Sequence, residues 1–155
     1  MAAWGDDAVF RAHAGWGAGA TRAGLLEFWR ARLTEPERLT VRRLALEQDA
    51  VVGYAELHGD DDRSRELGYL VAPSSNWGRG LGTAIAGAGL AHGFETMGLE
   101  RIWAEALEAN RPSLRILRTL GMREIGLGEE GMFLGASSRY ARFELSRDEW
   151  LRRRS

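Results

Sequence analysis

The spacing of apolar side chains predicts helical structure early in the chain. The first 20 residues, which are rich in glycine and alanine, carry no assignable pattern. Beyond them, apolar side chains at helical spacing predict a helix that Thr21 caps and that runs to about Leu33, before Pro36. The face expected to be buried consists of Leu25, Leu26, Trp29 and Leu33.

The middle of the chain alternates between apolar and polar positions and predicts strands. Two antiparallel strands are expected over residues 38–47 and 51–58, joined by a short turn, and a third strand over 65–71, ended by Pro73. Gly59 and three following aspartates are expected to form an exposed loop.

Strands and helices alternate in the second half. Helices are expected over 83–97 and 110–120, with Asn110 as the cap of the second and Gly121 after its end. The remaining predictions are strands over 101–107, 122–125 and 140–145, an irregular segment over 126–138, and a short final helix capped by Ser146. The order indicates one α/β domain over 1–155, with helices packed on a mixed sheet.

Composition narrows the class of protein. A length of 155 residues fits a single domain, and a net charge of -1 offers no general attraction to nucleic acid or to an anionic membrane. The absence of cysteine excludes disulfides, cysteine-ligated zinc and a thiol nucleophile, and the three histidines lack metal-binding spacing. Neither a signal peptide nor an apolar run of about 20 residues is apparent, so we expect a cytoplasmic protein without a metal.

A glycine-rich segment between the third strand and the next helix carries the candidate chemistry. Gly78, Gly80 and Gly82 precede a helix whose first N–H groups lack internal partners, which indicates an anion site suited to phosphate. Arg79 could add positive charge. A plain turn is the simplest alternative. A Rossmann nucleotide loop is a second, but the glycines follow G-x-G-x-G rather than G-x-G-x-x-G, and Pro73 separates them from the strand.

Two segments resemble the GNAT superfamily of N-acetyltransferases. The run Trp77-Gly-Arg-Gly-Leu-Gly-Thr83 is similar to the family's acetyl-CoA pyrophosphate loop, Q/R-x-x-G-x-G/A. Trp77, where Gln or Arg is commoner, is typical of the branch that resembles ribosomal-protein alanine N-acetyltransferases. Asn110, Ser113 and Arg115, followed by Leu-Gly-Met at 120–122, are similar to that branch's N-x-x-S-x-R…L-G-F signature. The resemblance covers roughly residues 38–145.

The resemblance implies a fold and a donor. The fold is a mostly antiparallel twisted sheet with helices on both faces and a central parallel strand pair splayed around the cofactor. The co-substrate is acetyl-CoA, whose pantetheine arm pairs with the backbone of Leu70 and Val71. Asn110 would lie near the thioester and Ser113 near the sulfur. The pyrophosphate loop consists of Trp77, Gly78, Arg79, Gly80, Leu81, Gly82 and Thr83.

The implied reaction is direct attack of an amine on the thioester. The amine must lose a proton, the carbonyl oxygen needs a donor, and the thiolate needs a donor or a proton. Glu56, Glu66 and Glu105 are candidate bases, and Glu66 is favoured because it begins the strand that delivers the cofactor, although an exposed strand-end carboxylate is an equal reading. Leu117 stands where many members carry a general-acid tyrosine, so Ser113 takes that role or the thiolate leaves unassisted.

Several alternatives stay open from the sequence. The acceptor is a protein N-terminus or a small amine such as an antibiotic, an amino acid or a polyamine. A non-catalytic acyl-CoA-binding sensor is the alternative function. We expect the family's opening strand and helix to be missing or divergent, so that the acceptor wall is short, rearranged or completed by a partner chain. The resemblance also implies a homodimer as one oligomeric state. Tyr54 and Tyr69 are expected to be packing residues, and Trp16 either packs or lines a substrate pocket.

Overall fold

The computed structural model describes residues 1–16, 21–34 and 40–154. A 3-10 turn over Ala2–Asp6 precedes the first helix. The strands of the described chain are β1 (Thr40–Glu47), β2 (Ala50–His58), β3 (Ser64–Val71), β4 (Arg101–Leu107), β5 (Arg123–Phe133) and β6 (Ala136–Ser146). The helices are α1 (Ala8–His13), α2 (Arg22–Thr34), α3 (Leu81–Ala91), α4 (Arg111–Thr119) and α5 (Arg147–Arg152).

The six strands form one sheet in the order β1-β2-β3-β4-β6-β5. Every neighbouring pair is antiparallel except β3 and β4, which run parallel. The mixed α/β fold with a mostly antiparallel sheet and one parallel pair is confirmed. Helices α1 and α2 precede β1, and no strand precedes it within residues 1–16 and 21–34.

Helices α3 and α4 cover one face of the sheet and enclose the main core. Leu90, Phe94 and Leu117 are fully buried against sheet residues such as Leu57 and Ile102. Helix α3 lies close to the sheet because Gly89 has no side chain. A Cβ there would meet the Cβ of Ala55 at 2.9 Å and Cδ1 of Leu67 at 2.8 Å.

An aromatic cluster from the N-terminal segment covers the opposite face. Trp4 stacks on Tyr54 of β2, and Trp29 of α2 meets the same ring edge-on at a centroid distance of 5.7 Å. Trp16 lies 5.0 Å from Phe10 between ring centroids. Packing of Tyr54 is therefore confirmed, and Trp16 is half-buried in the same cluster. The sheet carries helices on both faces.

The structure differs from two predictions, the buried face of α2 and the irregular segment over residues 126–138. Leu25 and Trp29 are buried, but Leu26 and Leu33 are 42% and 55% exposed, because α2 contacts the sheet cluster along a narrow stripe. Residues 126–138 were expected to be irregular. They belong instead to the long hairpin of β5 and β6, whose bulges after Glu124 and Leu127 accommodate glycines within a ladder.

Smaller differences concern boundaries. The helix expected over 83–97 begins at Leu81 and ends in a π-helical turn over His92–Thr96. Ser146 caps α5 in a reciprocal capping box with Glu149, as expected. The predicted stop at Pro36 and the first two residues of the strand expected over 38–47 lie outside the described residues. None of the helices in the described ranges is long and apolar enough to cross a bilayer.

Two glycines of α3 make a matched test of the helix–sheet contact. Gly89→Ala is expected to lower the free energy of unfolding by about 1–3 kcal/mol, because the added methyl overpacks the core against Ala55. Gly87→Ala adds the same methyl 3.3 Å from the flexible end of Leu120, so the gain in helix propensity should leave stability unchanged or higher. Urea denaturation of both variants measures the difference; equal stabilities would contradict the close contact.

Candidate active site

The parallel strands β3 and β4 separate within the sheet. Their pairing comprises three residue pairs, of which Glu66 with Trp103 is the last. Both strands continue beyond that pair, β3 to Val71 and β4 to Leu107. Strand β3 stays paired with β2 on its other edge, up to Val71 opposite Gly53. The inner edges of β3 and β4 therefore diverge and leave a cleft in the middle of the sheet.

The loop after β3 begins at this cleft and leads into α3. A 3-10 turn over Ser74–Asn76 follows Pro73, and then Gly78 and Gly80 adopt φ values of +75° and +82°. Glycine is favoured at both positions because other residues are strained at positive φ. Gly80 caps α3 without a side-chain hydrogen bond, so in the described chain no side chain satisfies the first N–H groups of the helix.

Gly82 has a packing role beside the one expected. A Cβ at Gly82 would meet Cδ1 of Ile116 at 2.6 Å, whereas a Cβ at Gly78 or Gly80 would meet nothing within 4 Å. Gly82 therefore permits α3 to approach α4, and its place in a phosphate loop stays a prediction. Gly78 and Gly80 border open space and leave the backbone accessible.

The charge expected from Arg79 is already engaged. Its Nη2 lies 2.8 Å from Oε1 of Glu47 and its Nη1 donates to Oδ1 of Asn76 at 2.8 Å. The guanidinium connects the loop to the end of β1, so Glu47 offsets its charge. Arg79 contributes its backbone N–H at the loop, while its side chain braces the loop against the β1–β2 hairpin.

Trp77 fastens the loop to the strand that it follows. Its indole Nε1 donates to the carbonyl oxygen of Val71 at 2.9 Å. Next to it, Asn76 Nδ2 donates to the carbonyl oxygen of Ala72 at 3.1 Å. Leu70 and Val71 lie in the part of β3 beyond its pairing with β4, and their pairing with a cofactor arm stays a prediction. The Val71 carbonyl, however, is occupied by Trp77, so a ligand that pairs there must use the other backbone groups or displace the indole.

Asn110 and Ser113 lie where α4 begins after β4. The Oδ1 atom of Asn110 accepts the backbone N–H of Ser113 at 3.3 Å, which confirms the predicted cap. The cap uses the amide oxygen, and the NH₂ group is the donor that Asn110 can offer to a carbonyl. Both residues are half-buried at the cleft side of the helix terminus.

Tyr69 contacts Ser113 across the cleft. The sequence analysis did not predict this contact. The Tyr69 hydroxyl lies 2.6 Å from Oγ of Ser113 and donates to the Ser113 carbonyl oxygen at 3.2 Å. Burial raises the pKa of Tyr69 to about 12, so the phenol keeps its proton at neutral pH. The expectation of a packing residue is therefore incomplete. The two residues lie 44 positions apart, and no local pattern connects them.

The three candidate bases share one face of the sheet, opposite to Ser113. Register places Glu56 opposite Gly68 on β3, and Glu66 opposite His58 on β2. Glu56 is bound by Arg42, whose Nε donates to Oε2 at 2.8 Å. Glu105 is bound by Arg142 through Nε at 2.6 Å. Each of these two carboxylates has an arginine partner.

Glu66 differs because its nearest basic side chain among the described residues is a histidine. His58 Nε2 lies 3.7 Å from Glu66 Oε2, and the Glu66 side chain is 25% exposed. Burial raises the pKa of Glu66, the carboxylates of Glu105 and Glu56 add to that shift, and His58 and Arg142 oppose it. A raised pKa makes a carboxylate a better proton acceptor near neutral pH. Its place in the last pair with β4 puts Glu66 at the closed end of the cleft, where the two strands begin to diverge.

Aromatic contacts lie at the opposite end of β3 from Glu66, beside the loop that follows Val71. The ring of His13 on α1 meets Trp77 edge-on at a centroid distance of 4.9 Å and Phe133 of the β5–β6 hairpin at 5.5 Å. Three separate segments thus meet beside the loop. Within the described residues no group of three or more potential ligands could hold a metal ion.

Asp7 connects the N-terminal segment to the loop. Its Oδ1 caps α1 by accepting Phe10 N–H at 2.9 Å, and its Oδ2 accepts Ser74 N–H at 2.7 Å. These hydrogen bonds hold the pKa of Asp7 below its usual value. A lowered folded-state pKa contributes stability above the unfolded pKa, and that stability is lost as pH falls through the folded pKa.

The Asp7 connection is testable by substitution. Asp7→Ala is expected to lower the free energy of unfolding by about 1–2 kcal/mol at neutral pH, because two backbone donors lose their partner. The deficit should shrink as the pH falls below about 4, where the Asp7 carboxylate of the unfolded chain protonates while that of the folded protein still resists protonation. The control is Asp6→Ala, which removes a neighbouring exposed carboxylate 3.7 Å from Arg22. It should leave the free energy of unfolding almost unchanged. A pH-independent deficit in chemical denaturation would contradict the role of the charge.

The sequence and the fold of this chain were compared with those of known proteins. A model of the acetyltransferase (GNAT) domain matches residues 1–123. The fold is similar to spermidine N-acetyltransferase from Vibrio cholerae, solved with CoA and spermine, at a TM-score of 0.78 and 18% identity over 97% of this chain and 89% of that chain. It is also similar to an acetyltransferase (GNAT family) from Bacillus anthracis, at a TM-score of 0.77 and 20% identity over 96% and 88% of the two chains. At such identities the likeness shows only a shared fold. The match to the domain model covers more than half of the sequence, and this chain therefore belongs to the GNAT acetyltransferase family.

Proposed function

We propose that the protein is an N-acetyltransferase that moves the acetyl group of acetyl-CoA to a primary amine by direct attack. The observation that carries this proposal is the cleft between β3 and β4. A carboxylate with a raised pKa, Glu66, lies at the closed end of the cleft on one face of the sheet, and the Ser113 hydroxyl lies on the other face. Attack and departure thus have a proton acceptor and a donor on opposite sides.

The loop and the cleft fit the two ends of the donor. Backbone N–H groups at the start of α3 suit the pyrophosphate, and Gly78 and Gly80 leave open space beside them. The diverging edge of β3 near Leu70 and Val71 suits an extended arm that pairs like a strand. When bound, acetyl-CoA supplies the activated acetyl group. The assigned loop residues are Trp77, Gly78, Arg79, Gly80, Leu81, Gly82 and Thr83.

The residues around the cleft divide the work of the reaction. Glu66 accepts the proton of the ammonium, directly or through water, so that the nitrogen lone pair can form the C–N bond. The Asn110 NH₂ group donates to the thioester end of the arm. The electron pair of the breaking C–S bond passes to sulfur, where the Ser113 hydroxyl donates a hydrogen bond. The nitrogen releases its second proton to solvent as the amide forms. No covalent enzyme intermediate is needed.

The acceptor is a primary amine of either of two kinds. The branch signature at Asn110 and Ser113 favours a protein N-terminus, as in the ribosomal-protein alanine N-acetyltransferases. The similar solved structures include a spermidine N-acetyltransferase, which favours a polyamine. On the face that carries Glu66, two of the three glutamates are already paired with Arg42 and Arg142. Glu66, whose basic neighbour His58 lies at 3.7 Å, is then the carboxylate that we assign to a single cationic amine, which a monoamine or a peptide N-terminus satisfies as well as a polyamine.

Calorimetric titration followed by an amine screen tests the proposal. We expect micromolar binding of acetyl-CoA, no binding of NADH, and release of CoA when spermidine or an alanine-initiated peptide is added. Binding of acetyl-CoA without CoA release for any amine would favour the alternative, a non-catalytic acyl-CoA sensor. Absence of acetyl-CoA binding would contradict the proposed donor.

A pair of substitutions at Gly80 isolates the charge requirement of the loop. Gly80→Asn and Gly80→Asp impose the same backbone strain at φ +82° and nearly the same volume, but the second adds a negative charge. The aspartate is expected to weaken acetyl-CoA binding at least tenfold more than asparagine, through repulsion of the pyrophosphate. Gly135 has the same φ in the distant β5–β6 turn, so Gly135→Asp is the control. Equal affinities of the two Gly80 variants for acetyl-CoA would contradict the proposal that this loop binds the pyrophosphate.

Glu66→Gln tests the base and its ionisation together. We expect turnover to fall about 100-fold with acetyl-CoA affinity retained, since general-base catalysis is lost. Because burial raises the folded-state pKa, the ionised Glu66 destabilises the fold above that pKa. The variant should therefore melt higher than wild type at about pH 8, and the difference should shrink toward pH values near the unfolded pKa of about 4.3.

Glu105→Gln is the matched control for this experiment. It keeps an acceptor for Arg142 on the same sheet face but removes a charge that helps to raise the Glu66 pKa, so turnover should fall by much less than in Glu66→Gln. A fully active Glu66→Gln enzyme, or an equal loss in Glu105→Gln, would exclude Glu66 as the specific base.

A further inference from the structure

We propose that Tyr69 is a positioning residue that directs the Ser113 hydroxyl toward the leaving sulfur of the acyl donor. This inference rests on the proposed function. It begins from one contact, the 2.6 Å hydrogen bond between the Tyr69 hydroxyl and Ser113 Oγ. The contact joins the separated part of β3 to the first turn of α4, across the cleft.

The location of the pair places it beside the reacting group. Tyr69 lies three positions beyond Glu66, the last β3 residue paired with β4. Ser113 lies in the first turn of α4, three positions beyond its cap Asn110. Alternation along β3 directs Tyr69 to the face that carries α4, whereas Glu66 faces the other side. The pair therefore lies on the side of the cleft opposite the proposed base.

Counting hydrogens shows what Tyr69 does to Ser113. In one arrangement Ser113 donates to the Tyr69 oxygen, and Tyr69 donates to the Ser113 carbonyl at 3.2 Å, so no hydrogen is left for a third group. In the other arrangement Tyr69 donates to Ser113 Oγ, and the Ser113 hydrogen points away from the phenol. An anion beside Ser113 favours the second arrangement, because hydrogen bonds in a chain polarise one another toward the charge.

The acidity of the phenol decides between orientation and proton transfer. Burial raises the pKa of Tyr69 to about 12, whereas a free thiol titrates near roughly 8.5. Transfer of the phenolic proton to the thiolate is unfavourable, because the pKa of the phenol lies roughly three units above that of the thiol. Tyr69 therefore keeps its proton, and the pair lowers the cost of the developing thiolate by hydrogen bonding alone. The expelled electron pair stays on sulfur until solvent protonates it.

The experiment measures the acidity of the bound CoA thiol, which needs no acceptor amine. CoA bound to the full-length protein is titrated with pH by thiolate absorbance, with the desulfo-CoA complex as the reference. The variants are Tyr69→Phe, Ser113→Ala and the double substitution. Tyr140→Phe, the same chemical change on β6, is the control. We expect wild type to lower the thiol pKa by about one unit, and Tyr69→Phe to reverse at least half of that shift.

The double variant separates positioning from packing. If Tyr69 acts through Ser113, Tyr69→Phe should raise the thiol pKa in the wild-type background and leave it unchanged in the Ser113→Ala background. With an accepted amine, Tyr69→Phe should lower kcat about tenfold, less than loss of a direct donor, with KM for acetyl-CoA within about twofold. Thermal unfolding of each variant reports whether the fold is retained.

The outcomes are distinct. A Tyr69→Phe protein with the wild-type thiol pKa and kcat overturns the inference and leaves the proposed function intact. Equal effects in both Ser113 backgrounds also overturn it, since a purely structural residue acts independently of Ser113. A wild-type protein that binds neither CoA nor acetyl-CoA removes the proposed function, and this inference with it.

Discussion

Parallel pairing of β3 with β4 lasts for three residue pairs, and the candidate site follows from the separation beyond them. Backbone N–H and C=O groups need partners, so diverging strand edges are tolerated where something else can satisfy them. Trp77 and Asn76 satisfy part of this demand at the end of β3. Tyr69 and Ser113 bridge the gap from the side of α4. What is left between the strands is a cleft with the Tyr69–Ser113 hydroxyl pair on one face of the sheet and Glu66 on the other.

Charge compensation distinguishes otherwise similar carboxylates. Three glutamates project from adjacent strands onto one sheet face, and arginines bind two of them. Glu66 instead has His58 at 3.7 Å and lies at the closed end of the cleft. Its raised pKa follows from burial and from the proximity of the other two carboxylates. The arginines thus hold Glu56 and Glu105 in place, whereas no described arginine forms an ion pair with Glu66.

The N-terminal segment and the loop support one another. Asp7 binds Ser74, and His13 brings Trp77 together with Phe133 of the distant hairpin. Arg79 anchors the other side of the loop to Glu47 on β1. Glycines that adopt positive φ would otherwise give the loop many conformations, so these contacts reduce the entropy lost when a ligand binds.

Local signals in the sequence determined a large part of this protein. Periodicity located β2, β3, β4 and α4 nearly to the residue, and Asn110 and Ser146 marked two helix starts, because alternation and capping act within a few residues. The glycine loop and its family were recognisable because positive φ restricts which residues can stand there. The hairpin over 126–138 escaped detection because its bulges disrupt the two-residue period on which strand prediction relies.

Only the tertiary structure decided which atoms meet at the site. It paired Arg79 with Glu47, gave Gly82 to the contact between α3 and α4, and set Tyr69 against Ser113. Each of these contacts joins residues more than 30 positions apart, so it depends on how the sheet and helices pack. The sequence determined the loop, the caps and most elements, whereas the pairing of charges and hydroxyls followed from packing, since distance in the chain carries no information about distance in space.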